Sequence, residues 1–253
     1  MNNALNFPFI IFVSIFITMW CAARLGDSLR NRSMPLEEVG LKDLNIVLGA
    51  TLTLLGLIIG FSFSMAVARY DLRKSYEEAE ANAIGTEYIR SDLLPAADAA
   101  KVRELLKLYL DQRVLFYTIG NVQQRAQINV RTVQLQSEMW SAAKSGAVAN
   151  PTAVLALAVA GMNDVLNSEG FTQAAWWNRI PPTAWALMSL ISIGCSFLIG
   201  YSAHRTWKTV LTVLPLAVSI SFFLIADIDS PTGGSVRVLP ENLIRLSQTI
   251  NAE

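Results

Sequence analysis

Charge is scarce in this chain, and metal-binding side chains are scarcer still. Asp, Glu, Lys and Arg together make up 16% of the residues, against about 25% in an ordinary soluble domain. The 20 basic side chains equal the 20 acidic ones, so no basic excess suits nucleic acid and no acidic excess suits a solvated tail. There is one histidine, and there are two cysteines. Cys21 and Cys195 have no metal or redox spacing and read as small apolar residues in packed helices. A Gly-rich phosphate loop, paired histidines, a nucleophile motif and any strand pattern of useful length are all missing. Neither a metal nor a cofactor is therefore expected. What remains is 53% hydrophobic with a mean hydropathy of +0.39, and its uncharged residues are gathered into blocks.

Four blocks carry no charge over membrane-spanning length: residues 7–23, 44–68, 180–203 and 209–226. About 20 apolar residues in a helix cross a hydrocarbon core of roughly 30 Å. Inside lipid every backbone amide must bond within the protein, so these blocks must be helices. The first is read as a retained helix, because no Lys or Arg precedes it as a signal peptide requires and the bulky Trp20 precedes Cys21. Trp176, Trp177, Trp207, Arg24, Arg69, Tyr70, Arg179, His204, Arg205 and Lys208 stand at the block ends, as headgroup anchors do. By basic-residue count, the short loops lean slightly towards the inside. The expected fold class is all-α: a polytopic membrane protein with four transmembrane helices and an inserted extramembrane helical bundle. Its partner is the lipid bilayer.

The insert, residues 69–175, reads as helices. The second spanning helix continues past Arg69 until Pro95 marks a break. A helix over 98–118 places Val102, Leu105, Leu106, Tyr109 and Leu110 on one face. A polar helix over 122–144 is expected to turn Val130, Val133 and Trp140 to the core. Asn150-Pro151 reads as an N-cap with Pro at N1, opening a helix with a stripe of Leu155, Ala158, Val159, Met162 and Leu166. Glu77, Glu78 and Glu80 read as a solvated helix face rather than a catalytic cluster. Residues 227–253 form a turn and one short amphipathic helix with Leu243, Ile244 and Ile250 apolar.

Two features stand out as candidate sites. In the second span Gly56, Gly60, Ser64 and Ala68 are spaced by four, with Gly49 a heptad earlier. Small residues at that spacing let helix backbones approach closely where lipid supplies no hydrophobic drive. Offset from them, Thr53, Leu57 and Phe61 form a second four-spaced row. That row either packs against lipid or another helix or, in a ring of subunits, forms a constriction that gates by dewetting. After the fourth span come Asp227, Asp229, Pro231 and Gly233 in a rigid turn. The turn reads either as Asp capping with a chain reversal or as an ion- or subunit-contacting element, and it holds too few ligands for calcium.

The stretch from Gly60 to Asp71, Glu80-Ala81-Asn82-Ala83-Ile84-Gly85-Thr86 and Asp92-Leu93-Leu94-Pro95 resemble the bacterial bestrophin-like domain membrane proteins. The Asp-x-Asp-x-Pro turn with its following Gly and Val-Arg also fits that family. A remoter similarity is to the bestrophins, which are homopentameric anion channels. Gly60-Phe61 and Arg69-Tyr70 stand where bestrophins have a Gly-Phe and an Arg-aromatic pair. The resemblance implies a pore neck at Leu57 and Phe61, with the polar Thr53 a departure. Thr232, Ser62 and Phe63 are further departures. The resemblance also implies a cytoplasmic helical domain, a bacterial inner-membrane location and a pentamer. The expected function is a homo-oligomeric ion channel, anion-conducting by that resemblance. The alternative is a non-conducting membrane scaffold or sensor whose helical domain binds a protein partner. An intramembrane enzyme is disfavoured, because no ionisable residue lies inside any span to relay protons or bind a metal.

Overall fold

A computed structural model of the chain describes residues 7–32, 38–149, 151–202 and 210–252. Ala203, His204, Arg205, Trp207, Lys208 and Thr209, and with them the turn assigned between the last two spans, lie outside the described residues, as does Asn150. Among the described residues the chain is all-helical, with no strand: α1 (Pro8–Arg32), α2 (Glu38–Arg90), a short 3-10 turn (Ser91–Leu93), α3 (Ala96–Thr118), α4 (Val122–Ala149), α5 (Ala153–Trp177), α6 (Pro182–Ser202), α7 (Val210–Asp229) and α8 (Glu241–Asn251). Four helices among the described residues are long and apolar enough to cross a membrane.

The chain divides into two compact units. The first comprises Met1–Tyr70 with Arg179–Arg237, and the second Asp71–Asn178 with Val238–Glu253. α2 passes from one to the other as one unbroken helix of 53 residues, because no proline interrupts it from end to end.

In the first unit α1 packs against α6 and α7. The core is built from Met19 of α1, Leu55 and Ala66 of α2, Met188 and Cys195 of α6, and Phe222 and Ile225 of α7. Buried hydroxyls here are satisfied within their own helices: Ser192 donates to Met188 O at 2.7 Å and Ser219 to Pro215 O at 2.6 Å. This is the local solution open to a serine in an apolar segment. It also accompanies Pro215, which α7 carries in its interior. Two glycines set how closely α1 and α6 approach. A Cβ on Gly200 would collide with Ala23 O, and one on Gly26 with Phe197 O. These are backbone atoms that cannot swing aside.

In the second unit Val102, Leu105, Leu106, Tyr109 and Leu110 of α3 are buried as the spacing predicts. Three expectations are overturned. α4 turns its other side inward: Ile128, Leu135, Met139, Ala142 and Ala143 are buried, whereas Val130, Val133 and Trp140 are exposed. α4 carries two apolar stripes on opposite sides, and the one that holds its tryptophan is not the core. α5 starts at Ala153, not at Pro151, because Thr152 is the cap and its hydroxyl accepts from Leu155 N at 3.2 Å. Trp176 is not a headgroup anchor. It is buried with its ring 4.5 Å from that of Phe116 and 5.6 Å from that of Tyr117, while Trp177 beside it is exposed.

Gly200→Ala should destabilise the first unit by about 1–3 kcal/mol, the usual cost of overpacking. Gly194→Ala should be near neutral, because its Cβ meets nothing within 4 Å. Thermal unfolding of both variants in mild detergent checks the contrast.

Candidate functional site

α2 has two unlike faces within its charge-free stretch. Leu55, Ser62 and Ala66 are buried, and Leu48, Leu52, Ile58, Ile59 and Met65 pack against the core beside them. At 100° per residue these positions form one side. The opposite side carries Gly49, Thr53, Gly56, Leu57, Gly60, Phe61, Ser64 and Ala68, and every one of them is exposed. The two rows picked out by spacing thus fall on one face, which the chain itself leaves open. Leu57 is 54% and Phe61 66% exposed. A Cβ added at Gly49, Gly56 or Gly60 would meet nothing within 4 Å, so these glycines are not required by packing inside the chain. The Thr53 hydroxyl donates to Gly49 O at 2.9 Å. Its donor is thereby engaged within the helix, and the row it heads is less polar than its sequence suggests.

The turn after α7 is directed onto its own chain. The Asp227 carboxylate accepts from Ser235 N at 2.7 Å, Ser235 Oγ at 2.8 Å and Val236 N at 3.1 Å. The backbone passes so close to Asp227 that a Cβ at Gly234 would strike its carbonyl oxygen. Gly233 N donates to Ser230 Oγ at 2.9 Å, and Pro231 lies half-buried in the turn. Asp229 accepts from Ile180 N at 3.2 Å and lies 3.8 Å from Arg69. It therefore anchors the chain entering α6, where Pro181 and Pro182 have no N–H of their own to offer. Both carboxylates are occupied as caps and ties. Among the described residues no three His, Cys, Asp or Glu side chains gather as metal ligands would.

The second unit holds buried charge that sequence reasoning missed. Glu77 and Glu80 are fully buried, which corrects their reading as a solvated face; only Glu78 of the three is exposed. Glu77 accepts from Asn242 N and Leu243 N, both at 3.0 Å, and from Asn242 Nδ2 at 2.7 Å. It so supplies the cap that α8, entered from Pro240, cannot supply for itself. Glu80 accepts a bidentate pair from Arg113 and a bond from Thr172 Oγ1 at 3.2 Å. Burial opposes the charge on Arg113, but Glu80, Tyr109 and Tyr117 together more than offset it and the guanidinium stays firmly protonated. Phe116 lies against that guanidinium, 4.5 Å from ring centre to Cζ. Further along α2, Glu87 is buried with neither oxygen hydrogen-bonded. Burial raises its pKa to about 8, with Arg90 pulling it down and Asp164 pushing it up. The partners of Glu77 and Glu80 lie far away in sequence, which is why spacing along α2 alone gave no sign of them.

A groove of about 720 Å³ opens between α4 and α5, lined by Trp140, Thr152, Leu155, Val159 and Asn163 among others. Among the described residues no titratable side chain lines it.

A family model for the Bestrophin-like domain matches residues 12–243. No curated protein matches the sequence. The chain is similar to a bacterial bestrophin homolog from Klebsiella pneumoniae solved by Zn-SAD phasing, with a TM-score of 0.62 at 13% identity over 96% of this chain and 95% of that one. A mutant of that homolog gives 0.62 at 12% identity, covering 100% and 97%. A crystal structure of a mutant membrane protein gives 0.63 at 11% identity, covering 94% and 95%. At these identities the likeness is one of fold.

Glu80→Ala leaves Arg113 buried with only Glu169, 3.9 Å away, to balance it, which should cost about 3–5 kcal/mol. Glu78→Ala, on the exposed side, should change stability by less than about 0.5 kcal/mol. Unfolding in mild detergent, followed by tryptophan fluorescence, separates the two.

Proposed function

Because this chain belongs to the Bestrophin-like domain family, we propose that it is a homo-oligomeric ion channel of the bacterial inner membrane, with α2 lining the pore. The observation that carries this reading is the open face of α2. A helix that buries one side in its own chain and leaves small residues on the other is suited to meet copies of itself. Gly49, Gly56, Gly60, Ser64 and Ala68 would let neighbouring α2 helices approach, and Thr53, Leu57 and Phe61 would face the axis. Five copies and anion conduction follow from the bestrophin resemblance.

No charged side chain stands between residues 44 and 68. Selectivity would then rest on hydration and pore width rather than on a ring of fixed charge. Leu57 and Phe61 would form an apolar constriction that passes ions only when wetted. The bilayer is the solvent of this assembly and no cofactor has a part in it.

One observation favours the scaffold reading. The outer side of α4 exposes Val130, Val133 and Trp140 beside the α4–α5 groove, an apolar surface suited to a protein partner.

Leu57→Ala and Phe61→Ala should each raise single-channel conductance severalfold in planar bilayers by removing bulk from the constriction. Cross-linking in native membranes should give the same ladder, ending at five, for both variants and the parent. Currents equal to protein-free lipid across several salts would overturn the channel. A monomer or dimer that loses its biological effect on Trp140→Ala would favour the scaffold.

A further inference from the structure

Glu87 is the one acidic side chain among the described residues that is 0% exposed and has neither oxygen hydrogen-bonded. Its carboxylate occupies the space beside Gly161 of α5. A Cβ there would collide with Glu87 Oε2 and lie 2.8 Å from Arg90 Nη1. The guanidinium that could neutralise Glu87 is therefore next to it, yet it is paired elsewhere: Arg90 lies 3.9 Å from Asp164. The charged groups facing Glu87 are Arg90, one turn further along α2, and Asp164 of α5. From α3, Arg103 and Lys107 are drawn onto the Tyr88 ring, and Arg103 is also bonded to Asp92 and Ser91.

A buried carboxylate without a donor is tolerated when neutral and costly when ionised. One cation shared between two acids, one buried and one exposed, has two arrangements. We infer that Glu87 is a proton-operated switch in the second unit: neutral, it packs dry against Gly161 while Arg90 holds Asp164; ionised, it draws Arg90 off Asp164 and loosens the seat of α5 on α2. The transfer is of one proton from the Glu87 carboxyl to water. Because α2 is unbroken from Glu38 to Arg90, a change in how its last turns are held would also bear on the stretch proposed to line the pore. That extension rests on the channel reading; the switch itself does not.

The sign follows from linkage. The packed state keeps the Glu87 proton up to about pH 8, whereas an opened state would release it near the ordinary carboxyl value of 4.5. Between those limits the packed state binds the extra proton, so its stability falls as pH rises and levels off above the upper one.

The test is hydrogen exchange of the full chain in nanodiscs from pH 6 to 9, corrected for intrinsic exchange rates. In the parent, the opening constant over Ala153–Trp177 should rise by up to about tenfold per pH unit and level off near pH 8. Glu87→Gln should remove the slope. Asp164→Asn, which frees Arg90 and removes a like charge, should move the levelling point to lower pH, and it remains informative if Glu87→Gln folds poorly. Equal pH profiles in the parent and both variants would overturn the switch. In bilayers, a pH-dependent conductance that Glu87→Gln abolishes supports the extension, and one that Glu87→Gln leaves unchanged overturns it. Absence of current from every variant, with the exchange result intact, counts against the channel and not against the switch.

Discussion

The organising constraint is that one helix must serve two solvents. At 1.5 Å per residue, the 53 residues of α2 have a contour length of about 80 Å, more than twice the roughly 30 Å of a hydrocarbon core. Continuity is what lets it do so, because every amide within the rod bonds to the rod and none has to find a partner where the surroundings change. What changes along it is the side-chain chemistry. Up to Ala68 the helix buries apolar groups and serine. From Arg73 onward it buries Arg73, Glu77, Glu80 and Glu87.

Those buried acids organise the second unit in different ways. Glu77 reaches the N-terminus of α8 and gives its first amides an acceptor. Glu80 ties α3 through Arg113 and α5 through Thr172. Fully hydrogen-bonded, such groups fix which helix faces which, although their net contribution to stability is small once desolvation is counted. Glu87 differs because no hydrogen bond from the described residues reaches it. A group of that kind marks a place where packing depends on protonation.

The all-helical class was legible because a charge-free block of membrane-spanning length admits few other solutions. The bestrophin-like resemblance was legible from the run around Gly60-Phe61 and Arg69-Tyr70. Where reading failed, long-range partners decided the outcome. Glu77 and Glu80 look solvated until Leu243 and Arg113 are brought against them. Val130, Val133 and Trp140 look like a core stripe until the opposite side of α4, with Leu135 and Met139, proves to be the one that α3 and α5 cover. Trp176 looks like an interfacial anchor until Phe116 is packed against it. Helical period identifies a stripe, but it cannot rank two stripes on one helix.

The open face of α2 is the converse case, in which period and structure agree on the face and the proposed oligomer gives it a use. Gly56 and Gly60 bring close approach to a helix side that nothing in the same chain approaches. Two glycines of α1 and α6 have the opposite character: Gly26 and Gly200 are each filled by a neighbouring backbone, although Gly194 of α6 is as open as those of α2. Glycine in a helix lowers its stability by up to about 1 kcal/mol relative to alanine. At Gly26 and Gly200 the intrachain contact accounts for that cost. At Gly49, Gly56 and Gly60 no contact with a described residue does; in the proposed assembly the neighbouring copies would. A helix that bears this cost on one side only, with Leu57 and Phe61 beside the glycines, has the asymmetry on which the proposed ring of identical copies rests.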